Sequence, residues 1–328
     1  MSGQGREHRS EVAAGREGAS QRGTSEERTD RGGGLGVGAR SGAPRGSGPT
    51  GPVTGTAEEA AGWWRTAVSE TAPDVIRFRG YPVEQLIGRV SFVETAWLLL
   101  RGEFPTGAQA RLLEAALVAS VDHGPQAPSI AAARMAATCG VGLNSSVATG
   151  VGLLGDVHGG AGQQCMQLLV RVRAAAGDGA GLADVVAGEL AGLRERRAHV
   201  PGFGHRFHAR DPRRDPLVGL LRAAVEDGVV PGHHLAVLLE VERQLGGRRG
   251  TAVPVNVDGV TAALYCELGF APELARGLFV LARSVGVLAH AWEETQAGTR
   301  IKGPLPPSFT APYDGPPLRD LPDLGGDR

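Results

Sequence analysis

The chain has 328 residues, a formal net charge of −1 and a pI near 6.8, a balance with no electrostatic attraction to nucleic acid or an anionic membrane surface. Small molecules or a second copy of the chain are the expected partners. Lys302 is the single lysine among 34 basic residues, which leaves one amine for Schiff-base chemistry, and no Gly-Lys-Ser/Thr run exists to cradle a nucleotide phosphate.

In chain order, residues 1–57 are rich in Gly, Arg, Glu, Ser and Thr and poor in large apolar side chains, so they are expected to form a disordered tail. Val75-Ile76-Arg77-Phe78 is the best strand signal. Ser91-Phe92-Val93-Glu94 is a capping box that opens a helix over 92–100. Further helices are expected around 108–121, 129–139, 182–198, 215–228, 232–245 and 259–268. A long helix starts with Pro272 in its first turn, and Leu274, Leu278, Leu281, Val285 and Leu288 are expected to form its buried face. The fold class is all-α.

Cys139, Cys165 and Cys266 are odd in number and widely spaced, so buried free thiols in a reducing cytosol are expected. No unbroken apolar run reaches the ~20 residues that span a bilayer, and no charged-then-apolar leader is evident, which makes the expected location cytoplasmic.

Three glycine-flanked segments carry the polar residues with the most chemical promise: Val157-His158-Gly159-Gly160-Ala161, Pro201-Gly202-Phe203-Gly204-His205-Arg206 and Asn256-Val257-Asp258-Gly259. A carboxylate that removes a proton beside a carbonyl, an imidazole that holds the enolate oxygen and a second imidazole that protonates the attacked carbonyl suffice for enolate chemistry. Each residue also has a plainer reading. His158 is a solvated loop histidine, the arginines around His205 are a solvated loop, and Asp258 is a helix N-cap, which would depress its pKa. The arginines near His205 equally suit an anion site. No third ligand accompanies His205 and His208, so no metal site is expected.

Taken together these segments resemble the citrate synthase family over nearly all of 64–328. The resemblance rests on Arg79-Gly80-Tyr81-Pro82-Val83-Glu84-Gln85-Leu86, the run from Glu94 to Pro105, Asp122-His123-Gly124, the His158, His205 and Asp258 segments, and Asp211-Pro212-Arg213. It implies an all-α, citrate synthase-like homodimer with a cleft between a large helical domain (58–160 and 270–328) and a small one (161–269). Acetyl-CoA with oxaloacetate, or citryl-CoA, would be the substrates, the coenzyme A thioester serving as substrate with no tightly bound cofactor. Asp258 then resembles the base that takes the methyl proton of acetyl-CoA, His158 the donor to the enolate, and His205 the acid that protonates oxaloacetate. His123, Arg213 and Arg283 match dicarboxylate-binding positions, and Arg206 and Arg210 are candidates for the phosphates of coenzyme A. Either Arg300 or Lys302 matches an arginine that reaches into the partner's site.

Departures from the pattern point to a subfamily. The folded region is shorter than in ordinary citrate synthases, and Gly259 stands where those enzymes carry Phe. Asp122-His123-Gly124-Pro125, Asn256-Val257-Asp258-Gly259 and Phe279-Val280-Leu281-Ala282-Arg283-Ser284 are similar to the citryl-CoA lyase module of ATP-citrate lyase, whereas His158 stands where that module lacks a histidine. The expected function is condensation of acetyl-CoA with oxaloacetate through citryl-CoA, or the reverse cleavage. A 2-methylcitrate synthase and a non-catalytic coenzyme A or citrate binding protein of the same fold are the alternatives.

Overall fold

The computed structural model describes residues 62–177, 181–206, 208–246 and 253–322, so the tail expected at 1–57 lies outside the described residues. Three short strands come first: β1 (Ser69–Ala72), β2 (Val75–Phe78) and β3 (Tyr81–Pro82), an antiparallel sheet in the order β1-β2-β3. The eleven helices among the described residues follow. They are α1 (Val83–Leu86), α2 (Phe92–Arg101), α3 (Gly107–Ser120), α4 (Pro128–Thr138), α5 (Leu143–Gly152), α6 (Ala161–Ala176), α7 (Leu182–Glu195), α8 (Arg214–Glu226), α9 (His233–Gly246), α10 (Val257–Glu267) and α11 (Pro272–Gln296).

The expected capping box opens α2: Ser91 Oγ accepts from the Glu94 amide at 3.2 Å, and Glu94 Oε2 accepts from the Ser91 amide at 2.8 Å. Thr106 and Gln109 cap α3 in the same reciprocal way. Three helices, α1, α5 and α6, were not among those expected from the sequence. Helix α1 is four residues long, and α5 and α6 both begin at a glycine with no side-chain cap, so the usual start signals are missing, while α5 also carries Gly150 and Gly152.

Helix α10 is buried along almost its whole length and packs against α3, α6, α8 and α9. The core around it runs from Trp97 through Leu113, Leu169, Leu221 and Leu238 to Ala282, and so draws on both segments that the resemblance assigns to separate domains. Helix α11 lies over α3, α4, α5 and α6. Its buried face is only in part the leucine and valine series expected from spacing: Leu278 is buried and Leu274 packs against the core, but Val285 and Leu288 are 56% and 44% exposed. The face runs through Ala275, Leu278, Ala282, Gly286, Val287 and Ala291. Small residues win because the neighbours come so close. A Cβ on Gly286 would stand 2.4 Å from the carbonyl oxygen of Val121. Helix α11 has the length and apolarity of a membrane span, yet it buries Arg283 and Glu294 against protein, which is the packing of a core helix. Cys165 and Cys266 are buried free thiols as expected, whereas Cys139, at the C-terminal end of α4, is exposed.

Two contacts hold the chain around α10. At its C-terminal end the buried carboxylate of Glu267 accepts from the amides of Gly232 (2.8 Å), His234 (2.6 Å) and Leu235 (3.0 Å), which satisfies the N-terminal donors of α9. At its N-terminal end the 200–206 loop docks directly on the helix backbone. Gly204 donates to the Pro254 carbonyl at 2.8 Å and Asn256 to the Gly202 carbonyl at 3.0 Å, beside a β-bridge between Phe203 and Val255. This approach needs glycine on both sides. A Cβ on Gly259 would lie 2.4 Å from the Gly202 oxygen, and one on Gly202, which has φ +83°, would lie 2.7 Å from the Gly259 Cα. A phenylalanine at position 259 has no room here.

Replacing Glu267 by Ala strands three buried amides and is expected to lower stability by about 2–3 kcal/mol, a fall of roughly 4–12 °C in Tm by calorimetry. Gly259→Ala is expected to lower stability by about 1–3 kcal/mol through overpacking, read as a shift of the urea unfolding midpoint. An unchanged midpoint would show that the 200–206 loop does not rest on α10.

Candidate active site

The aspartate at the start of α10 is not the helix cap. Asn256 takes that role, its Oδ1 accepting from the Gly259 amide at 3.2 Å while its Nδ2 donates to the Gly204 carbonyl at 2.7 Å. The capping reading of Asp258 is thereby overturned, and its carboxylate is left for other work. Burial pushes the Asp258 carboxyl up from the ordinary carboxylate range, against the pull of Arg213 and Arg283. A carboxylate so disposed is a stronger base than a solvated one.

Asp211 organises the surroundings. It is 1% exposed, and its carboxylate takes two bonds from the Arg213 guanidinium, both 2.9 Å, and one of 3.0 Å from the Val257 amide at the start of α10. Burial alone would raise this carboxyl, but those bonds outweigh it and hold it at about 2. Arg213 also donates to the Ala119 carbonyl at 3.3 Å, and Arg283, from α11, donates to the Ser120 carbonyl at 3.0 Å. Two arginines 70 residues apart in sequence are thus fixed to the C-terminal carbonyls of α3, just ahead of His123. The Arg283 guanidinium lies 4.8 Å from the centre of the Phe279 ring and is 4% exposed as a residue. Asp122 holds the His123 turn, accepting from the Gly124 amide at 3.0 Å and facing His290 of α11 at 3.3 Å.

His158 sits in a loop tied down by the ion pair of Asp156 with Arg276 and by Gln164 Nε2 donating to the Asp156 carbonyl at 3.1 Å. Its Nε2 accepts from the Ser129 amide in the first turn of α4 at 3.2 Å, with Ser129 Oγ at 3.0 Å. Because Nε2 accepts, this network assigns the proton of the neutral ring to Nδ1. Burial, with Arg283 and Arg206, pushes the His158 pKa down. The ring is neutral at pH 7 and offers an N–H to an oxygen.

His205 follows the same logic with its nitrogens exchanged. Its Nδ1 accepts from the His208 amide at 3.1 Å, so Nε2 carries the proton, and burial followed by His208 lowers its pKa. The His123 ring stands edge-on to it at 5.2 Å, and the His208 ring lies at 4.5 Å. His123, His158, His205, Arg206 and His208 line one cavity of about 680 Å³, closed on another side by 124–128. This is the size of a site for a drug-sized ligand. Asp258 borders a separate cavity of about 10 Å³ with Gly159 and Gly162.

Seven of the ten residues singled out from the sequence therefore line the large cavity or interact electrostatically around it: His123, His158, His205, Arg206, Arg213, Asp258 and Arg283. Arg210 is held outward by Asp215 in a two-bond fork of 2.6 and 2.9 Å. Lys302 donates to both oxygens of Glu294, at 2.8 and 3.0 Å, and Arg300 is exposed. Reading the sequence missed Asp211, Ser129 and His208 as parts of the site. Asp211 was visible in its motif, but nothing local showed that it also binds the start of α10.

A family model for the citrate synthase C-terminal domain matches residues 57–111 and 106–304. A citrate synthase of Acidithiobacillus ferridurans is 30% identical over 210 residues, 63% of this chain and 52% of that protein. A 2-methylcitrate synthase of Mycobacterium tuberculosis is 28% identical over 234 residues, 70% of this chain and 56% of that protein. The chain spans about half the length of the curated relatives it matches. Among solved structures, citryl-CoA lyase from Hydrogenobacter thermophilus superposes with a TM-score of 0.70 at 32% identity, covering 79% of this chain and 98% of that one. With the family match running through the segments that carry all three glycine-flanked residues, the chain belongs to the citrate synthase family.

Proposed function

We propose that this protein makes or breaks the carbon–carbon bond between an acetyl-CoA enolate and oxaloacetate, with citryl-CoA as the species joined or split. The observation that carries the reading is the pair of oppositely wired imidazoles. His158 is wired through Nε2 to the Ser129 amide and offers Nδ1–H, while His205 is wired through Nδ1 to the His208 amide and bears its proton on Nε2. Two neutral N–H donors suit two different oxygens, the thioester oxygen as it becomes an enolate and the keto oxygen as it becomes an alkoxide. Asp258 is the carboxylate that takes the α-proton in condensation or returns it in cleavage. His123, Arg213 and Arg283 hold the dicarboxylate, with Arg213 pre-set by Asp211 so that no reorganisation is needed on binding. Arg206, exposed at the rim, is the candidate for a coenzyme A phosphate. Arg210 would have to leave Asp215 to join it.

Cleavage is the favoured direction, supported by the 32% identity and TM-score of 0.70 to the lyase neighbour. The segments 58–160 with 270–328 and 161–269 act in this reading as large and small helical domains that bracket the site, the former bringing His158 and Arg283, the latter His205, Arg213 and Asp258. A homodimer is supported by α11, where Val285, Leu288 and Trp292, the last 51% exposed, form an apolar stripe at helical spacing. With Lys302 engaged by Glu294, Arg300 is the better candidate to reach a partner's site.

The deciding assay supplies citryl-CoA and follows oxaloacetate and free thiol separately, then supplies acetyl-CoA or propionyl-CoA with oxaloacetate. Oxaloacetate without thiol identifies a lyase, thiol with citrate a synthase, and a preference for propionyl-CoA a 2-methylcitrate synthase. Silence in every arm would overturn the proposal in favour of a binding protein. Asp258→Asn is expected to lower kcat by about 10²–10⁴-fold while the Kd for coenzyme A changes little, as measured by calorimetry.

A further inference from the structure

Tyr265 is 3% exposed, and among the described residues its hydroxyl has no hydrogen-bond partner. A buried hydroxyl in that condition is destabilising by itself. It sits on the same face of α10 as Asp258 and Thr261, at spacings of three and seven residues, and all three line the 10 Å³ cavity. The rest of that lining is Gly159, Gly162, Ala275 and Phe279, which bring no polar side-chain atom. The Thr261 hydroxyl is already spent as a donor, on the Val257 carbonyl at 2.9 Å and the Asp258 carbonyl at 3.3 Å.

Size and polarity together identify the occupant. Tyr265 and Asp258 face the same small cavity and lie close enough to interact electrostatically. A cavity of about 10 Å³ admits one water-sized sphere, and a water there has two polar side chains to bond. A methyl group of similar size would leave the phenol hydroxyl unsatisfied. We propose that Tyr265 is a positioning residue for Asp258: its hydroxyl donates to a single water in this cavity, and that water donates to the carboxylate. The bridge fixes which carboxylate oxygen is turned toward the acyl group and favours the ionised form that removes a proton. The assignment rests on the reading of Asp258 as the base.

The other charged and titratable groups facing Asp258 are Arg213 and Arg283, which lower its pKa, and Asp211, which raises it. Cys165 of α6 also faces it, as a thiol that burial keeps neutral. None of these changes when the phenol oxygen is removed. Tyr265→Phe therefore isolates the bridge.

The test labels aspartate carboxyl carbons with 13C and titrates Asp258 by NMR in the wild type and in Tyr265→Phe, with Asp258→Asn identifying the signal. The variant's midpoint is expected to move up by about one pH unit, because a donor to the charged form is lost. In the condensation direction, where Asp258 acts in its ionised form, the acid limb of the kcat/KM profile should move with it, kcat at pH 7 should fall about tenfold, and KM should stay within about twofold. Coincident midpoints in the two proteins would overturn the proposal whether or not either turns over citryl-CoA. A shifted midpoint in a protein inactive on every substrate would uphold the bridge and refute the proposed function instead. A crystal structure of the wild type is the measurement that needs no variant. Density for one water about 2.6–3.0 Å from both the Tyr265 hydroxyl and an Asp258 oxygen is expected, and a dry cavity would overturn the bridge.

Discussion

The buried carboxylate of Asp211 is the constraint on which the rest of the site depends. One oxygen pair takes the fork of Arg213, and the same pair accepts the Val257 amide, so the arginine proposed to hold the dicarboxylate and the helix bearing Asp258 are referred to a single anchor. Burying a charge is costly unless every lone pair is met, and here Arg213 and two main-chain amides meet them. The anchor sits where α8 begins, between the loop of His205 and the start of α10. Misplacing it would move binding and proton transfer together.

Electrostatics around the anchor divide the work among similar groups. Burial, together with Arg213, His205 and Arg283, lowers the His123 pKa, while burial lifts Asp258 against the pull of Arg213 and Arg283. Neutral imidazoles in an arginine-rich site are donors without being cations, so they can strengthen their bonds as oxygen charge builds up and still release product. The asymmetry between His158 and His205 comes from which ring nitrogen a backbone amide occupies, not from any difference in side-chain chemistry.

Much of this was legible in the sequence, and the pattern of what was not is physical. Capping boxes, Pro272 and the glycine-flanked polar residues are local signals, and they located α2, α11 and the three residues of the proposed chemistry. Contacts between distant segments leave no such mark. The cradle of His158 comes from Ser129, 29 residues earlier, and Asp211 reaches Val257 46 residues later. The expected face of α11 held at Leu274 and Leu278 but not at Val285 and Leu288, because hydrophobic spacing reports size, whereas the helix turns its alanines and a glycine inward to let backbones approach. The plain reading of Asp258 as a cap failed because Asn256, two residues earlier, competes for the same amides and has the better position.

The glycine pair at 202 and 259 carries a consequence for how this site tolerates change. Where two side chains set the separation of catalytic groups, any repacking of the core is felt as a shift between them. Here main chain rests on main chain, and the 200–206 loop stands off α10 by the thickness of the peptide itself. The spacing of His205 and Asp258 is therefore insulated from drift in the surrounding hydrophobic residues, and the sequence of the core is free to vary so long as these two positions stay bare.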